Sequence, residues 1–257
     1  MKQEKRIVLL CSDGDSTRAV YNALQENFNE VSVIMEESVS RRQMLERRIK
    51  KLGVVSVAGQ VLFLLVVVPL LRRSSKRRVA EIKNEYQMRE GLPKNIIRVS
   101  SVNSEEARER LREIAPRVIV VNGTRIINRQ TLNCVNSRFI NMHAGITPLY
   151  RGVHGAYWAL AENKPELVGT TVHFVDEGID TGKIIEQVHF KVSKPDNFTT
   201  YPHLHTGAGI AALIRAVRSA LNGEVAQRQE NKNLASKLRY HPTIWEYLYR
   251  RLLYGVR

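Results

Sequence analysis

Residues 6–35 read RIVLLCSDGDSTRAVYNALQENFNEVSVIM, and their order decides the fold. The apolar run at 6–11 is continuous rather than alternating, which is the pattern of a strand buried on both faces. It stops at the polar turn Ser12-Asp13-Gly14-Asp15-Ser16. A helical spacing follows, with Ala19, Leu24 and Phe28 apolar, and a second strand-like run occupies 31–35. Strand, turn, helix, strand is the opening of a parallel α/β sheet.

The same pattern continues outward. Residues 96–99 (IIRV) and 117–121 (RVIVV) are predicted strands, separated by a charged helix at 104–114. Ser104 or Asn103 caps that helix, and its first turn holds acids, where the helix dipole favours them. Strands at 139–142, 169–175 and 183–190 and an amphipathic helix at 207–221 complete the series. A length of 257 residues suits one α/β domain with additions.

Composition narrows the setting. Hydrophobic residues make up 43% and charged residues 25%, values of a globular chain. Cys11 and Cys134 stand far apart, outside any zinc or disulfide spacing. We therefore expect no metal site and a reducing, cytoplasmic compartment. The net charge of +15 implies an anionic partner: nucleic acid, a membrane surface or a phosphorylated substrate.

That charge is concentrated. Residues 41–78 hold eleven Lys/Arg and one acid, Glu46, which leaves +10 of the +15 in one block. Inside it, 52–71 (LGVVSVAGQVLFLLVVVPLL) is uncharged and long enough to span a bilayer. A full span would place strands of one sheet on opposite sides of the membrane. An interfacial helix or shallow hairpin, broken near Gly59 or Pro69, avoids that, and a buried core helix is the alternative. The tail 243–257 mixes Trp245, Tyr247, Tyr249 and Tyr254 with Arg250, Arg251 and Arg257, as membrane interfaces do. It suits a helix packed on the domain equally well. An RNA groove would interleave bases with aromatic stacking groups, and the block has one aromatic, Phe63, so nucleic acid is disfavoured.

The chemistry lies in 139–182. Asn141 and His143 alternate at the end of a strand and so share a face, at the edge where open α/β sheets place ligands. Asp180 follows in a loop with two glycines, able to return a carboxylate to a neighbouring strand. Asn, His and a carboxylate suit acyl transfer to an amine, in which an oxyanion needs donors and protons must move. Spacing alone does not separate His143 from His154, His173, His189, His203 or His205.

The string N-M-H-A-G-I-T-P-L-Y-R-G at 141–152 resembles the N-x-H-x-S-L-L-P-x-Y-R-G loop of the folate-dependent formyltransferases. T-V-H-F-V-D-E-G-I-D-T-G-K-I-I at 171–185 resembles their second motif, in which the Asp of D-x-G is catalytic. V-I-V-V-N-G-T-R-I-I at 118–127 resembles the strand and loop that hold the pteridine ring. The resemblance covers residues 95–225 well and implies a Rossmann-like, mostly parallel twisted sheet with flanking helices. It makes 1–225 the catalytic domain, interrupted by a basic, apolar helical insertion at 41–78, with 226–257 as a helical tail. It implies 10-formyltetrahydrofolate as donor and Asn141, His143 and Asp180 as catalytic residues. Gly123, Thr124, Arg125, Ile126, Asp176, Glu177, Gly178 and Ile179 would line the folate pocket, and Ser16, Thr17 and Met142 would meet the acceptor.

Two departures bear on that acceptor, a small-molecule amine. The family's Ser-Leu-Leu is Gly145-Ile146-Thr147 here. Glycinamide ribonucleotide formyltransferases carry a glycine-rich first loop for a phosphate, whereas Asp13 and Asp15 would repel one unless Arg18 or another cation compensates. The 77 residues after Asp180 fall short of the extra domain of methionyl-tRNA formyltransferases. A formyltetrahydrofolate hydrolase would carry a regulatory domain before the first strand. The expected reading is an amino-sugar N-formyltransferase for surface polysaccharide, acting on a nucleotide- or lipid-linked sugar and peripheral at the inner face of the cell membrane. An inactive membrane-associated binding protein on the same fold is the reading from outside the class.

Overall fold

The computed structural model describes residues 6–224 and 235–257. The chain runs through β1 (Ile7–Cys11), α1 (Asp15–Asn27), β2 (Val31–Glu36), α2 (Arg41–Leu52), α3 (Val54–Leu62), a π-helical turn (Phe63–Val67) and α4 (Val68–Glu85). It continues with β3 (Ile96–Val99), α5 (Glu105–Ile114), β4 (Val118–Asn122), α6 (Arg129–Leu132), β5 (Arg138–His143), β6 (Tyr150–Gly152) and α7 (Gly155–Ala161). Then come β7 (Gly169–Phe174), β8 (Ile184–His189), α8 (Tyr201–Asn222), β9 (Lys237–Arg239) and α9 (Ile244–Tyr254).

Seven strands form one sheet in the order β3-β2-β1-β4-β5-β7-β8. The first five are parallel, and β7 runs antiparallel to both of its neighbours, β5 and β8. All five residues of β1 are buried. Ile7, Leu9 and Cys11 pack in the layer of α1 and α8, while Val8 and Leu10 pack toward α5. Both faces are therefore covered, which is why the run carries no polar alternation. Of the two cap candidates, Ser104 caps α5, accepting from Ala107 N–H. Helix α8 begins at Tyr201, before the predicted 207. Pro202 suits its first turn, and the buried His205 and Thr206 hide the apolar period from the sequence.

The insertion is helical but breaks elsewhere than expected. Gly53, with φ of +81°, ends α2, and from Val54 to Glu85 the chain is continuously helical through Gly59 and Pro69. The helix runs on through Gly59, where the Trp245 indole packs in the place of a Cβ. Pro69 falls in the first turn of α4, directly after the π-helical turn, where the altered register absorbs its missing N–H.

One face of this long helix is pinned to the domain. Phe63 is fully buried against Phe198 and Tyr247, with ring centroids 4.8 and 5.0 Å apart. Gln60 Nε2 donates to the His241 carbonyl (2.9 Å), Asn197 Nδ2 donates to Ser75 Oγ (2.6 Å), and Arg78 pairs with Asp196 (2.8 Å). The opposite face, with Val55, Leu62, Leu65 and Leu70, is exposed. The most apolar window has a mean hydropathy of 2.6 and only 28% of it is buried, so this is not a core helix. By length and composition it could cross a membrane, but its pinned polar face ties it to the domain surface.

Helix α9 lies beside it. Tyr247 enters the shared aromatic core, and Leu248, Leu252 and Leu253 face outward. A capping box of Thr243 and Glu246 starts the helix. The expected boundary between catalytic domain and tail falls next to 225–234, outside the described residues, and β9 pairs with β6 of the sheet-bearing region.

Candidate active site

Strand β5 pairs in parallel with β4 and antiparallel with β7, which sets Asn141 opposite His173 and His143 opposite Thr171. Asp180 comes from the loop between β7 and β8, with a left-handed φ of +53°. Two contacts clamp that loop: Gly152 N–H donates to Asp180 Oδ2 (2.8 Å), and Arg151 donates to the Ile179 carbonyl (3.2 Å). The structure thus gathers the three residues that the sequence singles out.

Hydrogen-bond logic assigns their protons. His143 is 5% exposed, with Nε2 2.7 Å from the Tyr150 carbonyl and Nδ1 3.3 Å from Asp180 Oδ2. A carbonyl only accepts, so Nε2 carries a proton, and Nδ1 takes a second when it bonds the carboxylate. Both nitrogens are engaged within the protein. Burial pushes the Asp180 carboxyl up, but the hydrogen bond and the charge of His143 and the Gly152 N–H outweigh it. The group sits well below the usual carboxylate range.

His173 is the partner that sequence reasoning missed. Its Nδ1 donates to the Phe174 carbonyl (2.7 Å), which leaves Nε2 to accept from Asn141 Nδ2 (3.2 Å). That bond fixes the Asn141 amide. Nε2 also lies 3.8 Å from Asp180 Oδ1. The available signal was the antiparallel strand T-V-H-F beside N-M-H, which needs the strand pairing to be known.

These residues open on a cavity of about 520 Å³. Its wall includes Asn141, Met142, His143, His173 and Asp180, with Gly123, Thr124, Arg125, Ile126, Asp176, Gly178 and Ile179 on the flanking loops. Gly123 takes φ of +68°, and its carbonyl accepts from Ser12 Oγ (2.7 Å). Arg125 is turned away from the cavity centre by bonds to Glu36 (3.0 Å) and to the Ser100 and Glu37 carbonyls (both 2.8 Å). Asp176 caps its own loop through Gly178 N–H and Thr181. Glu177 differs from expectation: it is not on this wall, because it points outward toward Arg129 (3.6 Å).

The proposed acceptor residues separate. Met142 is on the main cavity and Ser16 on a second one, whereas Thr17 is buried, donating to the Ser12 carbonyl and accepting from Asn122. Each acid of the first loop has a cation near it: Arg18 lies 3.7 Å from Asp13, and Lys83 of α4 lies 3.8 Å from Asp15. The sequence reading also lacked Arg48, Lys51 and Gln60 of the insertion and Tyr240 and His241 after β9, all on the main wall. Contacts between such distant segments leave no local signal.

Gly145 is more constrained than its place in the motif suggests. A Cβ there would overlap the Tyr150 carbonyl oxygen and approach His143 Nε2 to 2.9 Å. Gly145→Ser, which restores the family's residue, is expected to destabilise the protein by about 1–3 kcal/mol and to lower activity, as overpacking does. Urea unfolding beside a rate assay checks this, and an unchanged midpoint would count against the packing argument.

A buried histidine set makes the fold acid-sensitive. Burial lowers His205 to about 3 and His241 to about 4, and holds His154, bonded to His241 at 2.9 Å, well below its usual value. Folded values below the unfolded value of about 6.5 mean that the unfolded chain binds more protons there. Stability is then complete above pH 6.5 and falls as pH drops toward 4, by up to about 1.4 kcal/mol per unit for each histidine. Unfolding free energy measured from pH 7.5 to 4.5 should show a slope of at least one proton, and His241→Gln should reduce it.

Fold and site together place an amide, two histidines and a carboxylate on one pocket at the carboxyl ends of a mostly parallel sheet. The chain belongs to the formyl transferase family, whose model matches residues 4–217. The methionyl-tRNA formyltransferase of Kosmotoga olearia is 30% identical over 167 residues, 65% of this chain and 50% of that protein. The chain spans about half the length of the curated relatives it matches. Glycinamide ribonucleotide transformylase 1 of Symbiobacterium toebii shares the fold at a TM-score of 0.58 and 19% identity, covering 90% of this chain and 93% of that one. An N-formyltransferase of Helicobacter canadensis, solved with folinic acid and dTDP-3-aminofucose, does so at 0.55 and 18%, covering 92% and 71%.

Proposed function

We propose that this chain moves a formyl group from 10-formyltetrahydrofolate to the primary amine of an amino sugar, at the inner face of the cell membrane. The Asn141–His143–Asp180 group, opening on the cavity between the Gly123 and Asp176 loops, carries the chemical part. At about 520 Å³ the cavity has the size of a small-molecule site, with Val121, Ile126, Ile127 and Val175 on its wall beside the polar groups. The donor supplies the formyl carbon. Asn141 presents its amide to the oxygen on that carbon as negative charge develops, and His173 keeps the amide oriented. His143 and Asp180 form a charge pair beside the reaction, while the amine loses its proton to water and the departing donor nitrogen takes one up. The low basicity of Asp180 favours orienting and charge-stabilising His143 over taking the proton itself.

The acceptor reading is supported by the sugar nucleotide in the H. canadensis relative; the acids of the first loop do not weigh on it, because Arg18 and Lys83 stand beside them. The membrane reading rests on the exposed apolar face of the inserted helix and α9, within a block, 41–78, that carries a net charge of +10. The test incubates purified protein and donor with nucleotide- and lipid-linked amino sugars, glycinamide ribonucleotide and methionyl-tRNA. Formylation of an amino sugar is expected. A panel in which only the latter two acceptors react would overturn the sugar reading.

A further inference from the structure

A second cavity, of about 790 Å³, lies between the inserted helix and the start of α8. We propose that it holds the phosphate and the first isoprene units of a polyprenyl-phosphate-linked amino sugar, so that the inserted helix is part of the acceptor site. This rests on the amino-sugar reading above and names the carrier of that sugar.

The helix wall is a single stripe. Leu64, Val68, Arg72 and Lys76 recur every four residues, so they line up along one face, apolar at one end and cationic at the other. Among the described residues, Arg72 and Lys76 have no acid within 4 Å, although nearby Arg77 and Arg78 are paired with Glu81 and Asp196. The acid on the lining, Asp15, already has Lys83 beside it. An entering phosphate therefore meets unpaired positive charge.

Position selects the lipid carrier over a nucleotide. Leu64 and Val68 belong to the apolar half of the helix, whose opposite face exposes Leu65 and Leu70, and Arg72 and Lys76 begin its basic half. A membrane-bound prenyl phosphate has the same order, hydrocarbon and then anion, along the same direction. The cavity also abuts the catalytic one. His241 lines both and is bonded to His154, and Ser16 at its edge accepts from Asn122 at the end of β4, the strand beside Asn141. Formylation in the catalytic cavity joins the amine nitrogen to the formyl carbon and breaks that carbon's bond to the donor nitrogen, with the amine losing one proton and the donor nitrogen gaining one. The phosphate ester is a handle.

The full chain should be assayed in vesicles of phosphatidylcholine and phosphatidylglycerol with one aminohexose, carried either on polyprenyl phosphate or on UDP. The lipid-linked form is expected to show about tenfold higher kcat/KM. Arg72→Glu/Lys76→Glu should raise KM for it about tenfold, with kcat and the donor KM within about twofold, and Arg72→Lys/Lys76→Arg should restore it. Preference for the UDP form, or an unchanged KM in the charge-reversed protein, overturns the proposal. Binding of polyprenyl phosphate alone, measured by titration in detergent micelles, separates the two readings. If neither aminohexose reacts, the sugar reading fails, and loss of that binding in Arg72→Glu/Lys76→Glu still decides the cavity.

Discussion

Replacing Asp180 by Asn is expected to lower kcat for formyl transfer about 10³-fold with little change in donor KM, because it removes charge and little else. Asp180 is held at φ of +53°, a conformation that Asn tolerates better than most residues. An amide oxygen can still accept from Gly152 N–H, so the clamp on the loop persists. What disappears is the carboxylate that His143 Nδ1 and His173 Nε2 both face. Without it, the charge pair with His143 is lost. Stopped assays at saturating donor measure the effect. A loss under about tenfold would mean that the carboxylate only holds the loop.

The second large effect concerns the proposed membrane contact. Leu65 is 70% exposed on the inserted helix and Leu252 86% exposed on the adjoining α9. Both can become Glu without touching Phe63 or Tyr247, which hold the two helices together. Removing two buried leucine side chains from a bilayer interface costs about 3–6 kcal/mol together, before any repulsion from anionic lipid. The double variant should therefore lose at least about 100-fold in partitioning to phosphatidylglycerol vesicles while melting like the parent protein. Raised salt should weaken binding of the unaltered chain, since Lys/Arg contribute about 1 kcal/mol each and are screened. Equal pelleting of both proteins would remove the basis for placing this enzyme at a membrane.

Legibility in the sequence followed the range of the interactions. β1 and β4 were readable because burial on both faces leaves unbroken apolar runs. α5 was readable because Ser104 and two acids mark its first turn locally. The start of α8 was not, since His205 is buried through its bonds to Thr170 and not through an apolar side chain. The break at Gly53 was missed because Gly59 and Pro69 looked the weaker points, whereas the helix runs on through both, past the Trp245 contact and the π-helical turn. Gly145 looked like a tolerant change in a loop, and its constraint comes from a carbonyl five residues away.

The site divides in the same way. By itself the sequence determined the strand ends that carry Asn141 and His143, the loop that carries Asp180, and the family, because alternation along a strand and motif spacing are local properties. It also located the basic, apolar block. Only the tertiary structure decided that His173 fixes the Asn141 amide, that Asp180 faces two histidines, and that the block supplies cavity walls on two sides of the chemistry. Those facts depend on which strand lies beside β5 and on residues that meet across more than a hundred positions of chain. Pairing and packing set such contacts, and no local pattern encodes them.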